Sequence, residues 1–216
     1  MTAVVVVLDW FGIIVFAVTG ALVASRKQMD IFGFMLLAAV TGVGGGTVRD
    51  LLLGVAPVFW VSEPRYLGLS LVVAVLVFFT AHIPESRYRL LLWLDAVGLS
   101  FFCVVGAERG LEAGISPLIA VVMGVVTATF GGIIRDILGG ESPLILRREI
   151  YVTAALAGAG TFVAADAAGL PEPLPLLLGF ALCLLVRGLA LAFHWSLPPY
   201  RPRPGRDPDE LRRLGL

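Results

Sequence analysis

Charged residues are scarce in this sequence: Asp, Glu, Lys and Arg make up 15% of its 216 residues, and 16 basic residues cancel 16 acidic ones. Because the net charge is zero, the chain as a whole produces no field that would attract nucleic acid or an acidic substrate. Hydrophobic residues account for 58% of the chain, and the mean hydropathy is +0.94. Soluble domains are roughly 45–50% apolar even when glycine is counted, so this composition excludes a soluble globular protein.

Cysteine and histidine are equally rare, with two of each. Cys103 and Cys183 lie in apolar stretches without a polar cluster or a partner at a useful spacing, so we expect neither a disulfide framework nor a metal site. The glycine-rich string from Gly42 to Thr47 lacks both the last glycine of a dinucleotide fingerprint and the lysine of a phosphate-binding loop. We therefore expect no enzymatic activity, no cofactor and no nucleic-acid partner.

Long apolar stretches are what the sequence does have. A bilayer core of about 30 Å requires roughly 20 apolar residues per helix. The first stretch lacks the basic start of a signal peptide and carries Asp9, so we interpret it as a retained helix. The sequence predicts an all-α membrane protein with seven transmembrane helices, at approximately 4–24, 31–54, 66–83, 90–107, 115–140, 151–169 and 174–195.

The basic residues outside these spans are distributed unequally between the two sides of the membrane. Basic loops stay in the cytoplasm, so the bias predicts an external N-terminus and a cytoplasmic C-terminus in a cell inner membrane. One side has only Arg65 and Arg109. The other side has eleven residues, namely Arg26, Lys27, Arg87, Arg89, Arg147, Arg148, Arg201, Arg203, Arg206, Arg212 and Arg213.

An internal repeat relates the two halves of the chain. Sliding the sequence by 86 residues aligns 8–63 with 94–149 without a gap, with 17 identities in 56 positions. Each unit holds three spans, and an odd number means that the second copy enters the membrane inverted. We predict a first three-helix repeat over 1–88, an inverted repeat over 89–170, a seventh helix over 171–196 and a cytoplasmic tail over 197–216. Glycines and phenylalanines spaced by four predict a helix-packing face, at Gly12, Phe16 and Gly20 and again at Gly98, Phe102 and Gly106.

The second span of each unit contains a glycine cluster followed by an arginine and an aspartate. Glycine weakens a helix by about 1 kcal/mol relative to alanine, so adjacent glycines favour a break or a kink, which frees backbone groups to line a water-filled cavity. Gly42 and Gly46 also form a GxxxG pattern, so close helix packing is the alternative. The candidate pore or gate residues are Gly44, Gly45, Gly46, Arg49 and Asp50 in the first unit and Gly131, Gly132, Arg135 and Asp136 in the second.

The arginines of this motif need acidic partners, because an arginine near the centre of a membrane helix costs about 2.5–3.5 kcal/mol on insertion scales. Matched depth in the two units predicts that Asp9 pairs with Arg49 and that Asp95 pairs with Arg135. The second aspartates, Asp50 and Asp136, complete each network or face water. The alternative is that these charges only lock helices together.

The doubled motif resembles the prokaryotic branch of the trimeric intracellular cation channel family. The resemblance covers residues 8 to about 195 and rests on Leu8-Asp9 with the spaced Gly and Phe residues, on Gly44 to Asp50 and on Gly131 to Gly140. It implies a homotrimer in which each protomer has its own pore for monovalent cations, potassium or sodium, lined by the glycine-broken second and fifth helices. Separately from the resemblance, the arginines of the tail predict a topology anchor that contacts anionic membrane lipids.

A secondary transporter for a small solute such as an amino acid is the rival interpretation. Inverted repeats with broken helices serve alternating access as well as they serve a pore. The sequence does not separate a channel from a carrier.

Overall fold

The computed structural model of the chain describes residues 3–147, 149–198, 205 and 207–215. It is all-α, and within those residues the β-structure amounts to one isolated bridge between Glu149 and Ser196. Four residues of the predicted basic side, Arg148, Arg201, Arg203 and Arg206, lie outside the described residues. The helices are α1 (Ala3–Arg26), α2 (Ile31–Leu53), α3 (Phe59–Ser62), α4 (Arg65–Thr80), α5 (Arg87–Glu112), α6 (Pro117–Leu138), a 3-10 turn (Leu144–Leu146), α7 (Val152–Ala167), α8 (Leu174–Ala192) and α9 (Pro208–Arg213).

Five of the described helices are long and apolar enough to cross a membrane, and they are α1, α2, α5, α6 and α8, with 19 to 26 residues each. Helices α4 and α7 are apolar but have only 16 residues. At about 1.5 Å per residue, each of these two is shorter than a typical bilayer core. They occupy the same place in the two sequence repeats. The chain is therefore a multi-pass membrane protein with two short helices at matching positions.

Polar residues at the loops fix where the long helices begin and end. The Asp30 carboxylate accepts a hydrogen bond from the Gly33 amide at the start of α2, and the Ser86 hydroxyl accepts one from the Arg89 amide at the start of α5. These side chains satisfy backbone donors that the first helical turn leaves free. At the other end of α2, Gly54 adopts a left-handed conformation with φ 70°, which residues with a Cβ rarely adopt. The α2 boundaries are thus set locally by the sequence.

The first helices of the two units, α1 and α5, pack face to face through the spaced glycines and phenylalanines. The Phe16 and Phe102 rings meet edge to face with centroids 5.0 Å apart. A Cβ on Gly12 would lie 3.0 Å from the Phe102 ring, and a Cβ on Gly98 would overlap the Phe16 ring. Each ring therefore fills the space over the other helix's glycine. The prediction that this stripe is a packing face is confirmed.

Helices α2 and α6 cross at their glycine clusters, and both helices are continuous through them. A Cβ on Gly45 would overlap the Thr127 carbonyl oxygen, and a Cβ on Gly131 would lie 2.5 Å from the Thr41 carbonyl oxygen. Neither helix is interrupted at its glycines, so the predicted break is absent, and a kink at these glycines stays a prediction. Their missing side chains instead let two backbones approach closely, and this packing outweighs the weak helix propensity of glycine.

We predict that Gly45→Ala destabilises the protein by about 1–3 kcal/mol, because the new methyl group meets backbone that cannot move aside without separating the helices. The measurement is the thermal unfolding midpoint of purified protein in detergent. Gly160→Ala is the matched control, because no heavy atom lies within 4 Å of a Cβ at this α7 position. Equal midpoints for the two variants would contradict the close crossing.

Candidate functional site

The charged motif of the second unit forms a fully buried cluster between α1, α5 and α6. Arg135 donates from Nη1 to Asp95 Oδ1 at 2.7 Å and to Thr19 Oγ1 at 3.0 Å, and from Nε to Asp136 Oδ1 at 2.9 Å. The predicted Asp95–Arg135 pair is therefore present. The other oxygen of Asp136 accepts a hydrogen bond from the Leu144 amide at 3.0 Å. This contact ties the turn after α6 back onto the helix.

The motif of the first unit forms a smaller cluster. Arg49 donates from Nε and Nη2 to Asp50 Oδ1 at 2.9 and 2.8 Å. The second Asp50 oxygen accepts from the Phe59 amide at 2.8 Å, and the Phe59 ring lies 5.7 Å from the Arg49 guanidinium carbon. Both units therefore use the second aspartate in the same way. One oxygen holds the arginine, and the other holds the start of the following loop segment.

The prediction of a direct Asp9–Arg49 contact is wrong, although the positive charge of Arg49 still attracts the Asp9 carboxylate. The Asp9 carboxylate instead accepts from Arg109 Nη2 at 3.1 Å, and Arg109 also lies 3.6 Å from Glu112. Packing of α1 against α5 brings the two residues together at one end of the bundle. The repeat argument missed Arg109 because its counterpart in the first unit is Val23. Its place near the end of α5, on the same predicted side as Asp9, was the signal that could have identified it.

Further ion pairs join helix ends to loops. Arg187 donates to a Glu149 carboxylate oxygen and to the Ile150 carbonyl, and its guanidinium carbon lies 5.2 Å from the Tyr151 ring centroid. At the end of α1, Arg26 pairs with Glu141 at 3.0 Å. Sequence reasoning did not find Glu141 or Glu149 as partners, because both lie in the segment after α6 rather than in a span.

The remaining glycines of the motif have side chains as their nearest neighbours. A Cβ on Gly44 would lie 3.0 Å from Ile134 Cδ1, and one on Gly46 would lie 2.6 Å from the Phe59 ring. A Cβ on Gly132 would lie 3.2 Å from the Tyr151 hydroxyl. Gly46 and Gly132 are equivalent in the repeat, and an aromatic side chain from the segment after the helix covers each of them, from the start of α3 in one unit and just before α7 in the other. Within the described residues, no group of His, Cys, Asp and Glu side chains could hold a metal ion.

Known proteins match almost the whole chain. The family model described as glycine transporter matches twice, over residues 6–82 and 92–167, and the two matches start 86 residues apart. The UPF0126 membrane protein of Vibrio cholerae is 42% identical over 203 residues, which cover 92% of this chain and 84% of that protein. The UPF0126 inner membrane protein YadS of Escherichia coli K12 is 42% identical over 195 residues, which cover 89% of this chain and 94% of that protein.

Solved structures also match. The TRIC trimeric intracellular cation channel orthologue from Rhodobacter sphaeroides is 65% identical, with a TM-score of 0.88, and the match covers 90% of this chain and 100% of that one. A prokaryotic TRIC channel solved in 0.5 M KCl is 32% identical, with a TM-score of 0.85, and the match covers 91% of this chain and 100% of that one. The matches by sequence and the matches by structure thus each cover about nine tenths of this chain.

Double-mutant cycles test the assignment of Asp9 to Arg109. We predict a coupling free energy of about 0.5–3 kcal/mol between Asp9→Asn and Arg109→Gln, because each single change leaves one charge without its partner. The coupling between Asp9→Asn and Arg49→Gln should be smaller, since Arg49 attracts Asp9 through its charge alone, whereas Arg109 also donates a hydrogen bond to it. Unfolding free energies of the single and double variants supply both values. A larger coupling to Arg49 would reverse the assignment.

Proposed function

The chain belongs to the prokaryotic branch of the trimeric intracellular cation channel family, and from this premise we propose that it is a channel for monovalent cations. We further propose that potassium, and also sodium, passes through a path inside each protomer of a homotrimer. The observation that carries the proposal is the pairing of every buried arginine of the doubled motif with an acidic side chain of the same protomer. An unpaired arginine in a narrow path would repel cations, whereas these pairs are neutralised.

The proposed path follows α2 and α6, the second and fifth of the predicted spans. Arg49 lies near the end of α2 and Arg135 near the end of α6, so in antiparallel spans the two clusters stand on opposite sides of the glycine crossing. Gly45 and Gly131 at the crossing bring the helices closest together. The crossing is then the narrowest point of the path, and separation of α2 from α6 would widen it. The paired charges on either side provide polar surface for a hydrated ion.

We propose seven spans arranged as two inverted three-helix repeats, over 1–88 and 89–170, followed by a seventh helix over 171–196 and a cytoplasmic tail over 197–216. The reciprocal contacts of Gly12 with Phe102 and of Gly98 with Phe16 are those that a two-fold axis would generate. The repeat also relates the two 16-residue helices, α4 and α7, to each other. Each is preceded by a short helical segment, α3 or the 3-10 turn.

The proposed orientation places the N-terminus outside and the C-terminus in the cytoplasm of an inner membrane. The basic bias of eleven residues to two supports this direction, and two ion pairs agree with the order of spans that it assumes. Asp9 meets Arg109 at the end that the basic bias predicts to be external, and Arg26 meets Glu141 at the end predicted to be cytoplasmic. Each pair joins residues that the same topology places on one side.

Membrane lipids are the remaining partners in this proposal. A cavity of about 900 Å³ opens between the start of α5 and the end of α8, and its walls include Arg89, Arg187, Trp93 and Trp195. Arginine and tryptophan gather where helices meet lipid headgroups. This end of the bundle is the cytoplasmic end in the proposed orientation.

A carrier for a small amino acid is the second candidate, because the family model that matches both halves is described as glycine transporter. A carrier needs paired inner and outer closures around a central site. The aromatic side chains over Gly46 and Gly132 are the candidates for these two closures. A channel and a carrier on this fold differ in whether both closures can be open at once.

Flux through proteoliposomes separates the two candidates. We predict that radioactive rubidium, a potassium substitute, accumulates under a membrane potential and that unlabelled glycine does not inhibit it. Empty liposomes give the background, and Gly160→Ala should conduct like the unmodified protein because its Cβ meets open space. Saturable uptake of radiolabelled glycine without rubidium flux would assign the protein as a carrier.

Reporter fusions test the proposed orientation. A fusion after Trp195 should report from the cytoplasm, and a fusion before Thr2 should report from outside, because eleven basic residues face two across the membrane. Both termini on one side would require an even number of spans. That result would remove the inverted relation between the repeats.

A further inference from the structure

The cavity between the start of α5 and the end of α8 combines basic walls with apolar ones. Its volume is about 900 Å³, which lies within the range of small-molecule sites, roughly 300–1,000 Å³. The segment before α7 forms a third wall, and the bridge between Glu149 and Ser196 joins this segment to the chain after α8. Three separate parts of the chain therefore enclose the cavity, at the end of the bundle that is proposed to be cytoplasmic.

The walls carry more positive than negative charge. Their charged residues are three arginines and one glutamate, and His194 adds a positive charge when it is protonated. Arg187 and Glu149 form an ion pair with each other, so their charges cancel. Neither Arg89 nor Arg147 has an ion-pair partner among the described residues. Two guanidinium charges of the walls are thus uncompensated.

Acidic residues of the neighbouring loops do not cancel these two charges. Glu141 is already paired with Arg26, and the Asp30 carboxylate caps the start of α2. Glu85 precedes Arg89 by one helical turn, but no ion pair joins them in the part of the chain that the structure describes. None of these three carboxylates lines the cavity. The two arginines therefore remain available for an anion from outside the chain.

The two arginines are placed differently. Arg147 donates from Nε and Nη2 to the Ser142 carbonyl oxygen at 3.2 and 3.0 Å, and from Nη1 to the Tyr88 hydroxyl. A guanidinium has five N–H groups, so two of them remain for a ligand. The Arg89 side chain is exposed and has no hydrogen-bond partner within the described residues. Arg89 also lies in the first turn of α5, where the helix dipole favours anions.

Apolar side chains form the rest of the walls. Leu92 and Leu191 line the cavity from α5 and α8, and Trp93 and Trp195 lie beside them with 43% and 50% of their surfaces exposed. Tryptophan collects at the level of lipid headgroups, where its ring meets hydrocarbon and its N–H meets polar groups. A free phosphate ion would bind the arginines and leave these apolar walls uncovered. An occupant with a phosphate at one end and hydrocarbon at the other matches both parts.

We propose that the cavity binds an anionic phospholipid, whose phosphate accepts hydrogen bonds from Arg89 and Arg147 and whose acyl chain lies against Leu92, Trp93 and Leu191. This proposal rests on the lipid contact in the proposed function and names the class of lipid. A zwitterionic lipid carries an ammonium group that offsets its phosphate. Two uncompensated arginines on the cytoplasmic side of a bundle favour a headgroup with net negative charge. The bound lipid joins α5 to α8, the helix that lies outside the repeat.

Tryptophan fluorescence in lipid nanodiscs tests the site, because bromine on an acyl chain quenches a tryptophan that it contacts. We expect brominated phosphatidylglycerol, diluted in phosphatidylcholine, to quench at a lower mole fraction than brominated phosphatidylcholine does. Each arginine that contacts the headgroup should contribute about fivefold to this preference. Trp10 and Trp60 belong to α1 and α3, at the opposite end of the bundle, and supply a background that does not depend on the headgroup.

Arg89→Gln should reduce the preference about fivefold. This variant should fold, because the side chain that it replaces is exposed and without partners among the described residues. Arg147→Gln should reduce the preference as well. Arg65→Gln is the matched control, since Arg65 is an exposed arginine at the start of α4, on the opposite side of the membrane in the proposed orientation, and should leave the preference unchanged.

Several results would overturn the proposal. They are equal quenching by the two brominated lipids, a preference that Arg89→Gln leaves unchanged, and a preference that is lost in Arg212→Gln with Arg213→Gln, which would assign it to the tail. Displacement of the brominated lipid by inorganic phosphate would assign the cavity to a free anion and also overturn it. Rubidium flux without a lipid preference would overturn this site alone. A preference that depends on Arg89 in a protein without rubidium flux would support the site and contradict the channel.

Discussion

Charge inside an apolar bundle must be balanced, and the rest of this structure follows from that constraint. Removing one partner of a buried ion pair costs several kcal/mol, so each arginine in a spanning helix has to meet a carboxylate from another turn, helix or loop. Arg49 finds its partner in the next residue, Arg135 reaches across to α5 as well, and Arg187 reaches the loop after α6. These contacts determine which helices must touch and at what depth.

Glycine makes those contacts geometrically possible. The arginine clusters sit one turn beyond the positions where α2 and α6 touch backbone to backbone, at Gly45 and Gly131. Larger residues there would separate the helices. The same principle brings α1 against α5, where Phe16 and Phe102 occupy space over the opposite helix's glycine. Close packing and charge pairing thus come from the same short motif, repeated 86 residues apart.

Some of this arrangement could be predicted from the sequence, because it depends on periodicity and on the repeat. The apolar stretches, the packing stripe and the Asp95–Arg135 pair follow from spacing and matched depth. The continuity of α2 and α6 could not be predicted in this way, because helix propensity is local whereas the contact of Gly45 with the Thr127 carbonyl joins distant segments. The Asp9–Arg109 pair could not be predicted from the repeat, because the repeat supplies no equivalent arginine. Val23 stands in the first unit at the position that Arg109 has in the second.

The central claim is that balanced charges along α2 and α6 mark a continuous cation path through each protomer. Single-channel recording of the purified protein in a planar bilayer under a potassium chloride gradient tests it most directly. The account predicts unitary current steps that reverse near the potassium equilibrium potential. Bilayers that contain the protein and stay silent, or steps that reverse near the chloride potential, would contradict it.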